Sequence, residues 1–142
     1  MAPQVDGDAV ERMLPLTPAV FHILLALAGG ERHGYGIMQE IARGTDDQMR
    51  IGPGTLYRSI KQMLASGLIE ESDERPDPAL DDERRRYYRL AAFGRQVAHA
   101  EAERLARLVR AARARRLLGE ANEGQAGAQG IEGGQGALGG LV

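Results

Sequence analysis

Arg58, Lys61 and Gln62 are the residues of this chain whose types and spacing point most directly to chemistry. They lie in the stretch 52–70, GPGTLYRSIKQMLASGLIE, which reads as a helix, a glycine stop and the start of a strand. At about 100° per residue they fall on one side with Ala65, and Thr55 and Tyr57 flank them. That side is cationic, hydrogen-bonding and free of acids. In the major groove Arg and Lys read guanine and Gln reads adenine, so the chemistry on offer is recognition of duplex DNA without bond making. A solvated helix face would show the same pattern, and the neighbouring segments must decide. Other chemistry finds no support. There is no Gly-rich phosphate loop and no nucleophile–base spacing. No cysteine is available for a disulfide or a thiolate–metal site, and the histidines 22, 33 and 99 fall on separate elements. The chain is therefore read as having no catalytic residues, no metal, no cofactor and no enzyme activity.

The elements around this stretch are legible. Gly52 stands at an N-cap and Pro53 at the first helical position, and Gly67 closes the helix. Leu56, Ile60, Met63 and Leu64 supply its apolar face. Upstream, Thr17-Pro18 opens a helix with Val20, Phe21, Ile23, Leu24, Leu25 and Leu27 almost all round its axis. Such a helix needs cover on several sides, and a second copy of the chain is a natural source. His22 reads as a packed or interfacial residue there rather than a ligand. A second helix, His33–Gly44, places Ile37, Met38 and Ile41 on one side and Tyr35 elsewhere, with Gly44 as its stop. Two short helices joined by a loop, the second with a basic outer face, predict a helix-turn-helix.

Beyond it, Leu68–Glu71 and Arg85–Leu90 predict two strands of a hairpin whose long tip holds Pro76, Asp77 and Pro78. The segment 70–83 carries eight acids and one Arg, whereas 84–118 carries eleven Arg and two acids. The net charge of −2 is thus an average over uneven segments, and phosphates sense the local field. The tip should stay in solvent while Arg84, Arg85 and Arg86 at its base meet DNA. Pairing of these arginines with the adjacent acids is the other reading, and both can hold because exposed pairs are worth only about 0–1 kcal/mol.

Residues 92–118 predict a long helix with a thin apolar stripe of Val97, Leu105, Leu108, Val109 and Ala112, the pattern of an intermolecular seam. With Phe21 and Leu25 from the first long helix, Val97, Leu105, Leu108 and Ala112 are the expected dimer contacts. Residues 1–15 read as a flexible arm and 119–142, nine of whose 24 residues are Gly, as a disordered tail. At 142 residues, this leaves one DNA-binding domain over 16–91. The expected architecture is mainly α with a small β-hairpin: a winged helix-turn-helix plus a C-terminal dimerisation helix. No signal-type or membrane-spanning stretch is evident, so the expected location is the cytoplasm.

Three blocks, HGYGIMQEI, PGTLYRSIKQMLASGLIE and RRRYYRLA followed by Gly94 and Arg95, resemble the PadR family of bacterial transcriptional regulators. The resemblance covers 16–95. It implies a winged helix-turn-helix, a homodimer built through the C-terminal helix, and repression from an inverted-repeat operator in double-stranded DNA. It also implies release by an apolar or aromatic small-molecule effector, expected here near Phe21, Leu25, Val97 or Glu101. Carried over by position, it puts Thr55, Tyr57 and Arg58 at the DNA with Lys61 one turn further on. It gives Tyr35 a phosphate contact and sets Arg85 and Arg86 on the wing. The chain departs from the family in having Gly52 where Ser is common and Ala91 where Thr is common. Both are N-cap positions, so the last helix should fray at its start. Two alternatives stay open: a winged helix that binds an acidic protein partner, and a regulator of the MarR type.

Overall fold

A computed structural model describes residues 7–72 and 86–119. The elements run α1 (Gly7–Arg12), α2 (Pro18–Ala28), β1 (Arg32–His33), α3 (Gly34–Gly44), α4 (Pro53–Ala65), β2 (Ile69–Glu71), β3 (Tyr87–Leu90) and α5 (Ala92–Ala114). They fall into two compact units that divide between Leu105 and Ala106.

Local chemistry sets the helix starts. The Thr17 hydroxyl accepts the N–H of Val20 at 3.3 Å, and Pro18 then fixes the first φ of α2. Thr17→Ala is expected to lower the free energy of unfolding by about 1 kcal/mol. A shifted urea midpoint at unchanged slope would register this. The start of α3 is capped by an imidazole: His33 Nδ1 accepts the N–H of Gly36 at 2.9 Å. Its ring also packs edge-on against Tyr87, with centroids 5.2 Å apart.

Three helices end in the same way, with a left-handed residue just past the cap. At the end of α4, Gly67 takes φ +82°, and the Leu68 N–H reaches back to Met63 O at 2.9 Å. Asp46 (φ 52°) plays this part after α3, where the Asp47 N–H bonds to Ala42 O at 2.7 Å. Arg116 (φ 61°) does so after α5, where the Leu117 N–H bonds to Ala112 O. These are Schellman stops, which satisfy carbonyls the helix leaves unpaired. They correct two expected boundaries. α3 is capped by Thr45 rather than Gly44, and α5 ends at Ala114, short of the predicted Leu118.

The sheet is antiparallel in the order β1-β3-β2, with Ile69 opposite Leu90 and Arg32 opposite Tyr88. β2 and β3 are the expected wing hairpin, each one or two residues shorter than predicted. The tip and the base residues Arg84 and Arg85 lie outside the described residues, as does most of the glycine-rich tail. β1 was not anticipated; two residues are too few to show alternation.

The core is aliphatic. Ile23, Leu24 and Leu27 of α2 meet Ile37 and Ile41 of α3, and Leu56, Ile60 and Met63 of α4. Leu68, Ile69, Tyr88 and Val97 close it from the sheet and α5. The expectation of a flexible arm over 1–15 is corrected for 7–15. Gly7–Arg12 form α1, Val10 is buried, and Met13 and Leu14 pack against the core. Six residues are too short for a visible helical period, so their packing against the core was missed.

The expected fraying at the start of α5 is also corrected. The Ala91 N–H donates to Leu68 O at 3.0 Å, and Gly94 is buried against the backbone of Leu68. Tertiary packing holds this helix end, and no side-chain cap is needed. Among the described residues, no helix is long and apolar enough to cross a membrane.

Candidate nucleic-acid interface

Helices α3 and α4 are joined by residues 45–52, and one side chain organises that turn. The Thr45 hydroxyl donates to Ile41 O at 2.8 Å and accepts the N–H of Met49 at 3.0 Å. Ile51, 8% exposed, then anchors the chain in the core immediately before α4. The Arg32 Nε donates to Ala26 O at 2.8 Å, which ties β1 to the last turn of α2. Arg43 lies 2.9 Å from Glu40 on the surface of α3.

α4 therefore leaves a defined face outward. Leu56, Ser59, Ile60 and Met63 are buried, while Thr55, Arg58, Lys61, Gln62 and Ala65 are exposed. Among the described residues no carboxylate pairs with Arg58 or Lys61. Leu64, read from sequence as part of the apolar face, is 37% exposed and sits at its margin. The helix start at Gly52 carries no side-chain cap and no acid. Its first-turn N–H groups thus add a positive end to a cationic face.

The other sequence candidates separate. Tyr35 is 58% exposed in the first turn of α3. Tyr57 is half-buried, its ring lying over Gly34, where a Cβ would collide with the phenol. It spaces α3 from α4 as well as flanking the outer face. Arg86 is half-buried and ion-paired with Glu71 at 3.4 Å. Arg89 bridges Glu70 at 3.1 Å and Glu31 at 3.6 Å. Buried Ser72 donates to Glu31 at 3.0 Å, which links the end of β2 to the segment before β1.

Of the residues expected at a dimer contact, Val97 is corrected. It is fully buried within its own chain, wedged into the core, and has no surface to offer a partner. Glu101, expected near an effector, is also buried, and its carboxylate is filled by internal partners. It accepts from Arg104 Nε at 2.7 Å, Arg104 Nη2 at 2.9 Å and the Leu16 N–H at 3.1 Å. In the first unit Leu25 is 49% exposed and Phe21 half-buried. In the second, Leu108 and Val109 are exposed and Ala112 is half-buried; Leu105, at the end of the first, is half-buried too. A cavity of about 140 Å³ lies between α2 and α3, lined by His22, Leu25, Ala26, Glu40, Ile41, Gly44 and Thr45.

Sequence reasoning missed three site features. The His33 cap and the Thr45 brace are single polar side chains whose roles depend on turn geometry. Arg50, 73% exposed in its side chain and paired with Asp47 at 3.0 Å, is a further cation two residues before Gly52. It was visible as a basic residue beside a helix start.

Transcriptional regulator Rv3488 of Mycobacterium tuberculosis is 38% identical over 74 residues, covering 52% of this chain and 63% of that protein. An uncharacterised 37.1 kDa protein of transposon TN4556 from Streptomyces fradiae is 34% identical over 85 residues, 60% of this chain and 22% of its own. The chain thus spans less than two thirds of the length of either relative. Its fold is similar to that of Bacillus subtilis PadR, crystallised in complex with operator DNA. The TM-score is 0.51 at 21% identity, with 61% of this chain and 47% of that one covered. The profile of the transcriptional regulator PadR-like family matches residues 23–100, from the middle of α2 through the wing strands and into α5, and the chain belongs to that family.

Proposed function

We propose that this chain is a sequence-specific binder of double-stranded DNA that regulates transcription as a homodimer, repressing from an inverted-repeat operator. The observation that carries the reading is the outer face of α4. It is exposed, acid-free and cationic, it begins at an uncapped helix end, and no described carboxylate neutralises Arg58 or Lys61. Arg58, Lys61 and Gln62 would read base edges, and Thr55 and the first-turn N–H groups would hold phosphate. Tyr35 would donate to a phosphate alongside. Tyr57 would contribute its exposed edge, and Arg84, Arg85 and Arg86 would contact the backbone from the wing. For Arg86, this means exchanging its pair with Glu71, a small cost at a half-exposed site.

Dimerisation through Leu105, Leu108 and Ala112, with Phe21 and Leu25, is supported by apolar side chains left exposed or half-exposed on α2 and α5. An apolar or aromatic effector would act against Phe21 and Leu25. Of these two, Leu25 lines the cavity between α2 and α3, with Ala26 and Ile41 beside it.

The test is binding to duplexes selected from a randomised DNA library on the intact protein. Log affinity is expected to fall linearly with log salt, with a slope set by the phosphates neutralised. Arg58→Ala is expected to weaken binding by about 1–3 kcal/mol and to relax specificity at one or two base pairs. Equal weakening on every sequence would make Arg58 a phosphate anchor. Affinity unchanged by salt would remove the DNA-binding reading.

A further inference from the structure

Among the described residues Glu101 is the only buried carboxylate, 2% exposed, and DNA recognition as set out above makes no use of it. Its position on α5 is informative. Gly94, Val97 and Glu101 follow at spacings of three and four, on the stripe by which α5 meets the rest of its unit, and they are the only buried residues of the helix. Gly94 lies on the Leu68 backbone and Val97 is in the core. With partly buried Phe93, Ala98 and Ala100 beside them, these contacts hold the start of α5, but they are apolar and about 4.5 Å apart along the axis, so they carry little directional preference.

Glu101 adds a third point about 10 Å from Gly94, and its contacts are directional. The planar Arg104 fork bonds both carboxylate oxygens, and one of those oxygens also accepts the Leu16 N–H. Leu16 immediately precedes Thr17, the cap of α2. The contact therefore ties α5 to the start of the helix-turn-helix scaffold, with the carboxylate itself buried.

We propose that Glu101 is a positioning residue for DNA recognition. By pinning α5 to Leu16 it fixes the direction of that helix as far as Leu105. In the homodimer this sets the separation of the two α4 helices, and so the half-site spacing that the protein accepts. The inference rests on the homodimer reading of the preceding subsection.

Because the chain has no cysteine, a single spin label can report it. Ser66 caps α4 at its C-terminal end and is exposed. Pulsed dipolar EPR of the intact protein carrying Ser66→Cys, labelled with a nitroxide, measures the distance between the two α4 helices. The expected result is one narrow distance. Adding Glu101→Met, which keeps the length but removes both acceptor oxygens, is expected to widen the distribution by about twofold or more, as a helix released at its outer anchor pivots. This holds at a temperature where circular dichroism shows native helix content, so loss of stability alone does not produce it. If that variant does not fold, Glu101→Met with Arg104→Met keeps apolar packing without the anchor and should widen the distribution equally. An unchanged width in a folded, dimeric variant overturns the role of Glu101 and leaves the dimer intact. The absence of any intersubunit signal in Ser66→Cys itself overturns the homodimer reading and the proposal with it.

Discussion

Gly94→Ala is expected to destabilise the protein by about 2–4 kcal/mol, among the largest effects of any single methyl added to this chain. A Cβ at Gly94 would fall on the carbonyl oxygen of Leu68, with the carbonyl carbon at 2.8 Å and the Leu68 Cα at 3.1 Å. Those atoms are backbone, so no rotamer change relieves the overlap. Leu68 is fixed in turn. Its N–H closes the stop of α4, its carbonyl accepts the Ala91 N–H, and its side chain is 1% exposed in the core. Either α5 lifts off β2, exposing Val97, or the end of α4 shifts. Gly44 provides the contrast. It lies in the last turn of α3 with nothing within 4 Å of an added Cβ. Gly44→Ala should be neutral or stabilising by up to about 1 kcal/mol. Urea unfolding of the two variants side by side checks the argument. A Gly94→Ala protein within about 0.5 kcal/mol of the parent would mean that α5 does not pack as described.

Glu101→Ala is expected to cost about 2–3 kcal/mol, because it opens a void and strips the Leu16 N–H of its acceptor. The pH dependence separates the charge from the packing. The Arg104 guanidinium, bonded to both oxygens, is the main cause that holds the Glu101 carboxyl below its usual value of 4.5. Burial opposes it, and the Leu16 N–H reinforces it. A carboxyl with a depressed native pKa gives stability that is complete above the ordinary carboxylate range and is lost as pH falls through the depressed value. The stability of the parent should therefore fall from about pH 5 downward. Glu101→Gln should lack that component, so the two proteins should differ most near neutrality and converge on acidification. Parallel stability curves for parent and variant between about pH 5 and 3 would show that the ion pair contributes nothing through its charge.

Much of the helix-turn-helix could be read from residue order because its signals are local. Thr17-Pro18, Gly52-Pro53 and Gly67 each act through their own backbone geometry, and the outer face of α4 is a matter of helical period. What escaped depends on contacts far apart in sequence. Val97 looked like part of an exposed seam because its apolar neighbours along α5 are exposed. It is instead the residue that follows Gly94 into the core, and only the approach of α5 to Leu68 reveals this. Glu101 was expected beside an effector, and its internal role shows only when Leu16, 85 residues away, is brought to it. β1 exists because Arg32 and His33 meet Tyr88 and Tyr87 across more than 50 residues. Its two residues carry no period of their own.

The net charge also misleads. The overall balance of −2 conceals an acid-free α4, because eight of the 20 acids lie between residues 70 and 83 and none in that helix. Screening over roughly 10 Å makes the local pattern of charge matter more than the sum. This is why composition alone argued against a nucleic-acid partner while the local pattern argued for one.

Amide chemical-shift mapping with a selected duplex is the most direct measurement of whether DNA is met by the outer side of α4. The account predicts that the largest changes fall on Gly54, Thr55, Arg58, Lys61 and Gln62, with a smaller set at Tyr35, while Leu108 and Val109 stay still. Changes concentrated elsewhere, with the amides of α4 unmoved at saturating DNA, would contradict it.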